Sequence, residues 1–139
     1  MRVLTLTLPI LLAACAAGDE RSPGTIADAD QVPAVRVLGP AERCLPVSRI
    51  QNTQVHGSQV IDFIALGGET WRNTLRAPCP GLGFEQRFAY ETSAGSLCSV
   101  DTIQVLRTGG LGIIPGIRCQ LGDFVPVERI EAQPDSQPH

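Results

Sequence analysis

Few side chains in this chain could take part in acid–base, nucleophilic or metal chemistry. Its basic residues are all arginines, which excludes lysine nucleophiles, Schiff bases and the lysine-containing phosphate loop. His56 precedes Gly57 in an expected turn, and no Gly-x-Ser-x-Gly motif supplies a nucleophile for it to activate. We therefore interpret His56 as an exposed turn residue rather than as a general base or a metal ligand.

Three aspartates are the remaining candidates for general acid–base catalysis. Asp101 is expected to accept hydrogen bonds from nearby backbone amides, and Asp123 lies in a Gly-Asp turn. Asp62 stands within an apolar segment. An unpaired carboxylate would be costly there, so we expect Asp62 to pair with an arginine or to face a polar rim. The sequence leans against an enzyme and predicts no catalytic residue, no cofactor and no metal site.

Cys15 closes the N-terminal segment of the chain. Arg2 precedes an apolar run over residues 3–12, and two alanines come directly before Cys15. This arrangement resembles a bacterial lipoprotein signal peptide with its lipobox, over residues 1–15. The resemblance implies removal of residues 1–14 and a lipid-modified Cys15, whose thioether-linked diacylglycerol and acylated amine anchor the chain to a membrane. By analogy with sorting in enteric bacteria, Ala16 in place of Asp favours the inner, periplasmic leaflet of the outer membrane.

Four cysteines remain once Cys15 is assigned to lipid, and they lie far apart: the closest two are 19 positions from each other (98 − 79). Zinc sites use closely spaced pairs of ligands, whereas four cysteines in a small exported domain are typical of two disulfides. Three pairings are open. A local hairpin favours Cys79–Cys98, with Cys44–Cys119 joining the ends of the domain.

Composition divides the mature chain into three parts. Residues 15–40 are expected to be the lipidated cysteine and a flexible tether, although residues 32–38 are more apolar and could dock as an edge strand. Residues 41–127 hold all the aromatic side chains and are expected to fold, whereas residues 128–139 predict a disordered tail. Between residues 41 and 125 there are seven acids and seven arginines. This balance gives neither the basic footprint of a nucleic-acid-binding protein nor a polybasic patch for anionic lipid.

Short alternating or apolar segments between turn residues predict an all-β fold. We expect a small antiparallel barrel or sandwich of about six strands, stapled by the two disulfides. No segment has sustained helical periodicity. The aromatic residues Phe63, Trp71, Phe88 and Tyr90 are expected to fill the core. The expected strands cover residues 47–55, 60–66, 70–76, 87–92, 102–106 and 117–121.

Two features of this fold are candidate binding surfaces. Arg72 and Arg76 alternate with apolar residues in one strand, so both are expected on a solvated face that could recognise an anion or a partner. Residues 109–116 predict a flexible, glycine-rich, apolar loop. Its large side chains either cap the barrel or form an exposed apolar tip for a partner or a membrane surface. These side chains are Leu111, Ile113 and Ile114.

Several segments of the folded part have distinctive cysteine and glycine contexts. They are Cys44 with Ile50 and Asn52, Trp71 to Leu75, Cys79 to Leu82, Arg87 to Tyr90, Leu97 to Ile103, and Cys119 to Phe124. Together they resemble a family of short proteobacterial lipoproteins classed only as a domain of unknown function, over about residues 42–126. The resemblance implies a four-cysteine β domain behind a lipobox signal peptide, and it implies no activity.

These features predict a lipid-anchored protein of the cell envelope that acts as a non-enzymatic binding or accessory module. Its expected contacts are the membrane, through Cys15, and an envelope protein. Two alternatives stay open: a carboxylate-based enzyme that acts on envelope polymers through residues such as Asp62, and a barrel that binds a small ligand. Converging carboxylates would favour the enzyme and a roomy apolar cavity the ligand carrier, whereas a filled core with an exposed apolar loop would favour the binding module.

Overall fold

The computed structural model describes residues 32–92 and 94–131, and in these ranges it is built almost entirely of short β-strands. The predicted all-β class with two disulfides is confirmed. A single α-helical turn, α1 (Leu82–Glu85), and a 3-10 turn, Val47–Arg49, interrupt the strands. Cys15 and the signal segment lie outside the described residues. The strands are β1 (Val35–Val37), β2 (Cys44–Pro46), β3 (Ile50–His56), β4 (Val60–Ala65), β5 (Thr70–Thr74), β6 (Phe88–Tyr90), β7 (Ser96–Cys98), β8 (Thr102–Gly109), β9 (Gly112–Gln120) and β10 (Phe124–Arg129).

The largest sheet has five antiparallel strands in the order β1-β10-β5-β4-β3. Its β4 strand is internal, as the continuous apolar run predicts, and it buries Ile61, Phe63 and Ala65 against the core. Gly67 and Gly68 turn the chain between β4 and β5. Both have positive φ, +100° and +92°, a conformation that favours glycine because side chains with a Cβ are strained there.

Two smaller antiparallel sheets complete the described part of the chain: β2 pairs with β7, and β6, β8 and β9 form a three-stranded sheet in that order. The prediction of a flexible loop over residues 109–116 is wrong. Strands β8 and β9 continue through most of it, Gly109 pairs with Gly112, and only Gly110 and Leu111 connect them. The glycines in this stretch mask a strand pattern because they weaken β propensity without preventing pairing.

The core lies between the sheets and is filled by aliphatic and aromatic side chains. The Phe63 ring packs edge-on against Phe124, with centroids 5.4 Å apart, and against Phe88, at 6.3 Å. One polar side chain is buried among them. The Asn73 amide donates to the Gly122 carbonyl (Nδ2–O 2.7 Å) and accepts from the Gly122 amide (N–Oδ1 2.9 Å). A Cβ on Gly122 would collide with the carbonyl oxygen of Thr74, so only glycine allows this close approach of the two backbones.

The disulfide pairs are Cys44–Cys98 and Cys79–Cys119, so the expected pairing of Cys79 with Cys98 is wrong. Cys98 ends β7, whose partner is β2, and this register places it directly opposite Cys44. Cys79 instead follows β5 and lies beside the end of β9, where the Arg76 amide donates to the Gln120 carbonyl (3.2 Å). The sheet partner of β7, rather than proximity in sequence, therefore decides the pairing.

Both ends of the described chain join the five-stranded sheet. The segment over residues 32–38 does dock as an edge strand: β1 pairs with β10, and Val35 lies opposite Arg129. Strand β10 was not predicted because Pro126 interrupts its apolar alternation, and proline is depleted in strands. Sheet pairing thus includes residues 35–37 and 128–129, although the sequence assigns them to the tether and the tail. Within the described ranges, no helix is long and apolar enough to cross a bilayer.

Candidate functional site

The outer end of the β8–β9 hairpin reaches beyond the core. Ile103 and Val105, in the first half of β8, are buried. Further along the hairpin, Arg107, Thr108 and the whole of residues 110–115 are exposed. The end of the hairpin is therefore a ribbon in solvent whose backbone is held by pairing between its two strands.

Large apolar side chains occupy this ribbon end. Leu111 is at the apex and fully exposed, and Ile113 and Ile114 are 61% and 53% exposed. Successive residues of a strand point to opposite faces, so Ile113 and Ile114 make both faces of the ribbon apolar. A Cβ on Gly109 would collide with the Ile114 side chain, which shows that Ile114 lies across the glycine. We call Leu111, Ile113 and Ile114 the tip.

The short helix α1 adds apolar surface at the base of the hairpin. Leu82 is fully buried, and residues two apart on a helical turn do not share a face, so Phe84 points to solvent and is 90% exposed. Phe84 and Ile117 line an open depression of about 500 Å³ together with Arg107. The Glu85 carboxylate ties α1 to the hairpin by accepting from the Thr108 backbone amide (3.2 Å). The hairpin surface is the set Phe84, Leu111, Ile113, Ile114 and Ile117.

Strand β9 is an edge strand, but its free edge is poorly suited to pairing with another strand. The Leu106 amide donates to Arg87 of the segment leading into β6 (3.0 Å). Its partner across the ladder is Pro115, whose backbone nitrogen therefore faces the free edge without a hydrogen to donate. The ladder then shifts register between Gln104 and Leu106, and the Gln104 side chain donates to the Gly116 carbonyl (3.2 Å). Proline and bulges of this kind protect edges from aggregation.

A separate polar cluster is centred on Asp62, which pairs with an arginine as expected. Its carboxylate is 2% exposed and accepts two hydrogen bonds from Arg72, at 2.7 Å from Nε and 2.9 Å from Nη2. His56 Nε2 lies 3.0 Å from Oδ2. A carboxylate oxygen only accepts, so this contact is a hydrogen bond in the His56 tautomer that carries its hydrogen on Nε2. Arg72 also donates to the Pro33 carbonyl (2.8 Å).

The position of His56 corrects the expectation of an exposed turn residue. Strand β3 extends to His56, and Gln54 two residues earlier lies opposite Asp62 in the ladder, so both side chains share the Asp62 face. Both carboxylate oxygens accept hydrogen bonds from Arg72, whose guanidinium also donates to the Pro33 carbonyl. Asp62 lines a depression with Gln54 and Ile64, but its side chain is only 2% exposed. This arrangement is typical of a structural ion pair rather than of a general base that needs access to a substrate.

The two arginines predicted as a solvated strip are not equivalent. Arg76 is exposed, but the Arg72 side chain is only 11% exposed and its guanidinium is committed to Asp62 and Pro33. Asp101 accepts from the Cys98 amide (2.7 Å), as expected. In the core, the rings of Phe88 and Tyr90 lie 6.3 Å apart and pack against the buried cluster.

Of the predicted binding residues, the structure brings together only Leu111, Ile113 and Ile114. Sequence reasoning missed Phe84 and Ile117 at the base of the same surface. Phe84 lies outside every predicted strand and Ile117 belongs to one, so their proximity depends on a tertiary contact between α1 and β8. The sequence signal for Phe84 was Leu-Gly-Phe at residues 82–84. Residues two apart on a helical turn do not share a face, so burial of Leu82 leaves Phe84 exposed.

No group of three or more potential metal-ligating side chains is found in the described ranges. Comparisons of the chain with protein-family models, curated proteins and solved structures find no match. In the described ranges, the hairpin surface is the feature that departs most from an ordinary solvated exterior. Five of the ten large apolar side chains that are exposed in the described part belong to it.

Proposed function

We propose that this chain is a lipid-anchored cell-envelope protein that works as a non-enzymatic binding module, and that it binds through the hairpin surface. The observation that carries the proposal is the exposure of five large apolar side chains on one hairpin and the adjoining helical turn. Large apolar side chains gathered in one exposed region are typical of interaction sites, because leaving them in water costs free energy that burial would recover.

Two further observations support a binding role over the alternatives. Asp62, the carboxylate on which an envelope-polymer hydrolase would depend, is buried and held by Arg72 and His56. The side chain of Phe63 packs against other rings instead of lining a ligand cavity. The lipid anchor is inferred from the resemblance of residues 1–15 to a lipoprotein signal peptide. The resemblance of residues 42–126 to short envelope lipoproteins of unknown function agrees with the same location.

Site-specific photocrosslinking in intact envelopes tests this proposal. A photoreactive amino acid replaces Leu111 in the full-length lipoprotein, and the matched control carries it at Leu66, which is similarly apolar and exposed but lies at the β4–β5 turn. We expect adducts, whether with protein or with lipid, to form about tenfold more from position 111 than from position 66, since burial of a leucine-sized side chain is worth about 1.5–3 kcal/mol. Equal yields at the two positions would refute a binding role for the hairpin surface.

A second variant checks that crosslinking depends on the hairpin surface and not on the stability of the fold. The triple change Leu111→Ser, Ile113→Ser and Ile114→Ser removes the tip, and a photoreactive group then placed at Phe84 reports the remaining contact. Because these side chains are exposed, the unfolding midpoint should stay close to that of the wild type. The adduct at position 84 should fall if the tip contributes to binding.

A further inference from the structure

We infer that the occupant of the tip is the headgroup region of a lipid bilayer bearing anionic lipid, into which the β8–β9 hairpin inserts end-on. This inference rests on the proposed function, because it names what the hairpin surface binds. It would give the protein a second membrane contact besides the anchor at Cys15.

The apolar residues surround the ribbon end rather than lying on one side of it. Leu111 is at the apex, and Ile113 and Ile114 are adjacent strand residues that point to opposite faces, each more than half exposed. A flat protein surface would cover one face and leave the other in water. A bilayer interface buries an inserted tip on all sides, and apolar side chains insert about 5–10 Å into the boundary between headgroups and acyl chains.

Little of the tip lies outside the β-ladder. Gly109 pairs with Gly112 and Thr108 with Ile113, so only Gly110 and Leu111 connect the two strands. A partner that added a strand to β9 would meet Pro115, which offers no hydrogen at the free edge. The apolar side chains, rather than the backbone edge, are therefore what this hairpin presents to its partner.

A basic residue lies where the phosphate groups would be. Arg107 is opposite Ile114 in the ladder and exposed. It stands four residues from the apex, about 13 Å along an extended strand at 3.3 Å per residue. When the apex enters the apolar boundary, the Arg107 guanidinium reaches the phosphate layer. The hairpin has no polybasic patch, but its two arginines between residues 102 and 120 are accompanied by no carboxylate in that stretch, and Glu85, which contacts the hairpin, is bound to the Thr108 amide.

The expected anchor places the domain within reach. Nineteen residues separate Cys15 from β1 (residues 16–34), a number that can span at most about 65 Å. A domain of about 100 residues has a radius of gyration near 13 Å. The number of residues therefore allows the hairpin to reach the membrane, and a tethered tip needs only weak intrinsic affinity to dock.

Depth-dependent quenching of tryptophan fluorescence tests the inference. The full-length lipoprotein carrying Leu111→Trp is reconstituted through its own lipid anchor into phosphatidylcholine vesicles with or without phosphatidylglycerol and with nitroxide-labelled acyl chains. The control is Leu66→Trp, and the native Trp71, which is buried, is present in both. We expect the Trp at position 111 to be quenched about fivefold more strongly than the Trp at position 66 in vesicles with phosphatidylglycerol. The further change Arg107→Gln should weaken docking roughly fivefold.

Three results would overturn the inference. Equal quenching at positions 111 and 66 would mean that the tip does not insert, and quenching independent of phosphatidylglycerol and of Arg107 would refute the preference for anionic lipid. A blue shift of the Trp at position 111 that grows with protein concentration, measured without vesicles in the unlipidated Cys15→Ala variant, would identify a second copy of the chain as the occupant. If photocrosslinking at position 111 in envelopes then captures a protein while vesicle quenching is absent, the lipid inference fails and the proposed binding function stands.

Discussion

Arg72 is expected to be the most destabilising residue to remove from the polar cluster. Its guanidinium supplies two of the three hydrogen bonds to the Asp62 carboxylate, which is 2% exposed. Arg72→Met keeps most of the stem volume but leaves a buried carboxylate with only His56 as its partner. Breaking a buried pair by removing one member costs about 3–5 kcal/mol. That loss is at least about a fifth of the 5–15 kcal/mol that stabilises a typical domain.

Urea unfolding at neutral pH with the disulfides intact measures this cost, and the buried Trp71 reports the transition through its fluorescence. With a slope of about 2 kcal/mol per molar urea, the midpoint should fall by about 2 M. The matched control is Arg76→Met, an exposed arginine just beyond the end of the same strand, which should cost no more than about 0.5 kcal/mol. Similar midpoints for the two variants would show that the cluster does not stabilise the fold.

The double variant Asp62→Leu and Arg72→Met separates the net contribution of the ion pair to stability from the cost of leaving one buried charge unpaired. Replacing both partners by apolar residues removes the uncompensated charge, so the double variant should be substantially more stable than Arg72→Met alone. If the costs of the two single changes simply add, Asp62 and Arg72 do not interact energetically and the reasoning above is refuted.

Three further predictions concern the disulfides and close packing. Peptide mapping without reduction should recover Cys44 joined to Cys98 and Cys79 joined to Cys119, and a peptide joining Cys79 to Cys98 would contradict the structure. Replacing both Cys79 and Cys119 by Ser opens a loop with a sequence separation of 40 and should lower stability by about 4 kcal/mol in chemical denaturation. Gly122→Ala places a Cβ against the Thr74 carbonyl and should cost more than about 2 kcal/mol, whereas Gly110→Ala, which has open space around it, should change the unfolding midpoint little.

Local patterning was sufficient to predict the fold class and most of the larger strands. The continuous apolar run at residues 60–66 and the two glycines after it predict an internal strand and a turn, and β4 and β5 follow that pattern. An aspartate inside such a run can persist only with a partner, and this constraint predicted an arginine beside Asp62 without identifying Arg72. Both predictions depend on residues that are close together in the sequence, so the sequence alone is sufficient to make them.

The errors concern features that depend on which distant strands pair. Cys98 could not be assigned to Cys44 from the sequence, since the pairing of β2 with β7 spans more than fifty residues. The outer end of the β8–β9 hairpin was not predicted, because the glycines of residues 109–116 lower strand propensity whether or not a β-ladder forms. Phe84 entered the candidate surface only through the contact between α1 and β8. The candidate site was therefore predictable in its tip and not in its base.

The exposed tip and the stability of the domain are physically separable. Leu111, Ile113 and Ile114 lie in solvent and bury little area, so they contribute little to the hydrophobic stabilisation that the core supplies. The core, the two disulfides and the Asp62 cluster hold the fold without them. The exposed part of these aliphatic side chains has unfavourable contact with water. Several of them gathered at one tip are typical of a surface that binds another apolar surface, and such binding could be lost by substitution at the tip without loss of the fold.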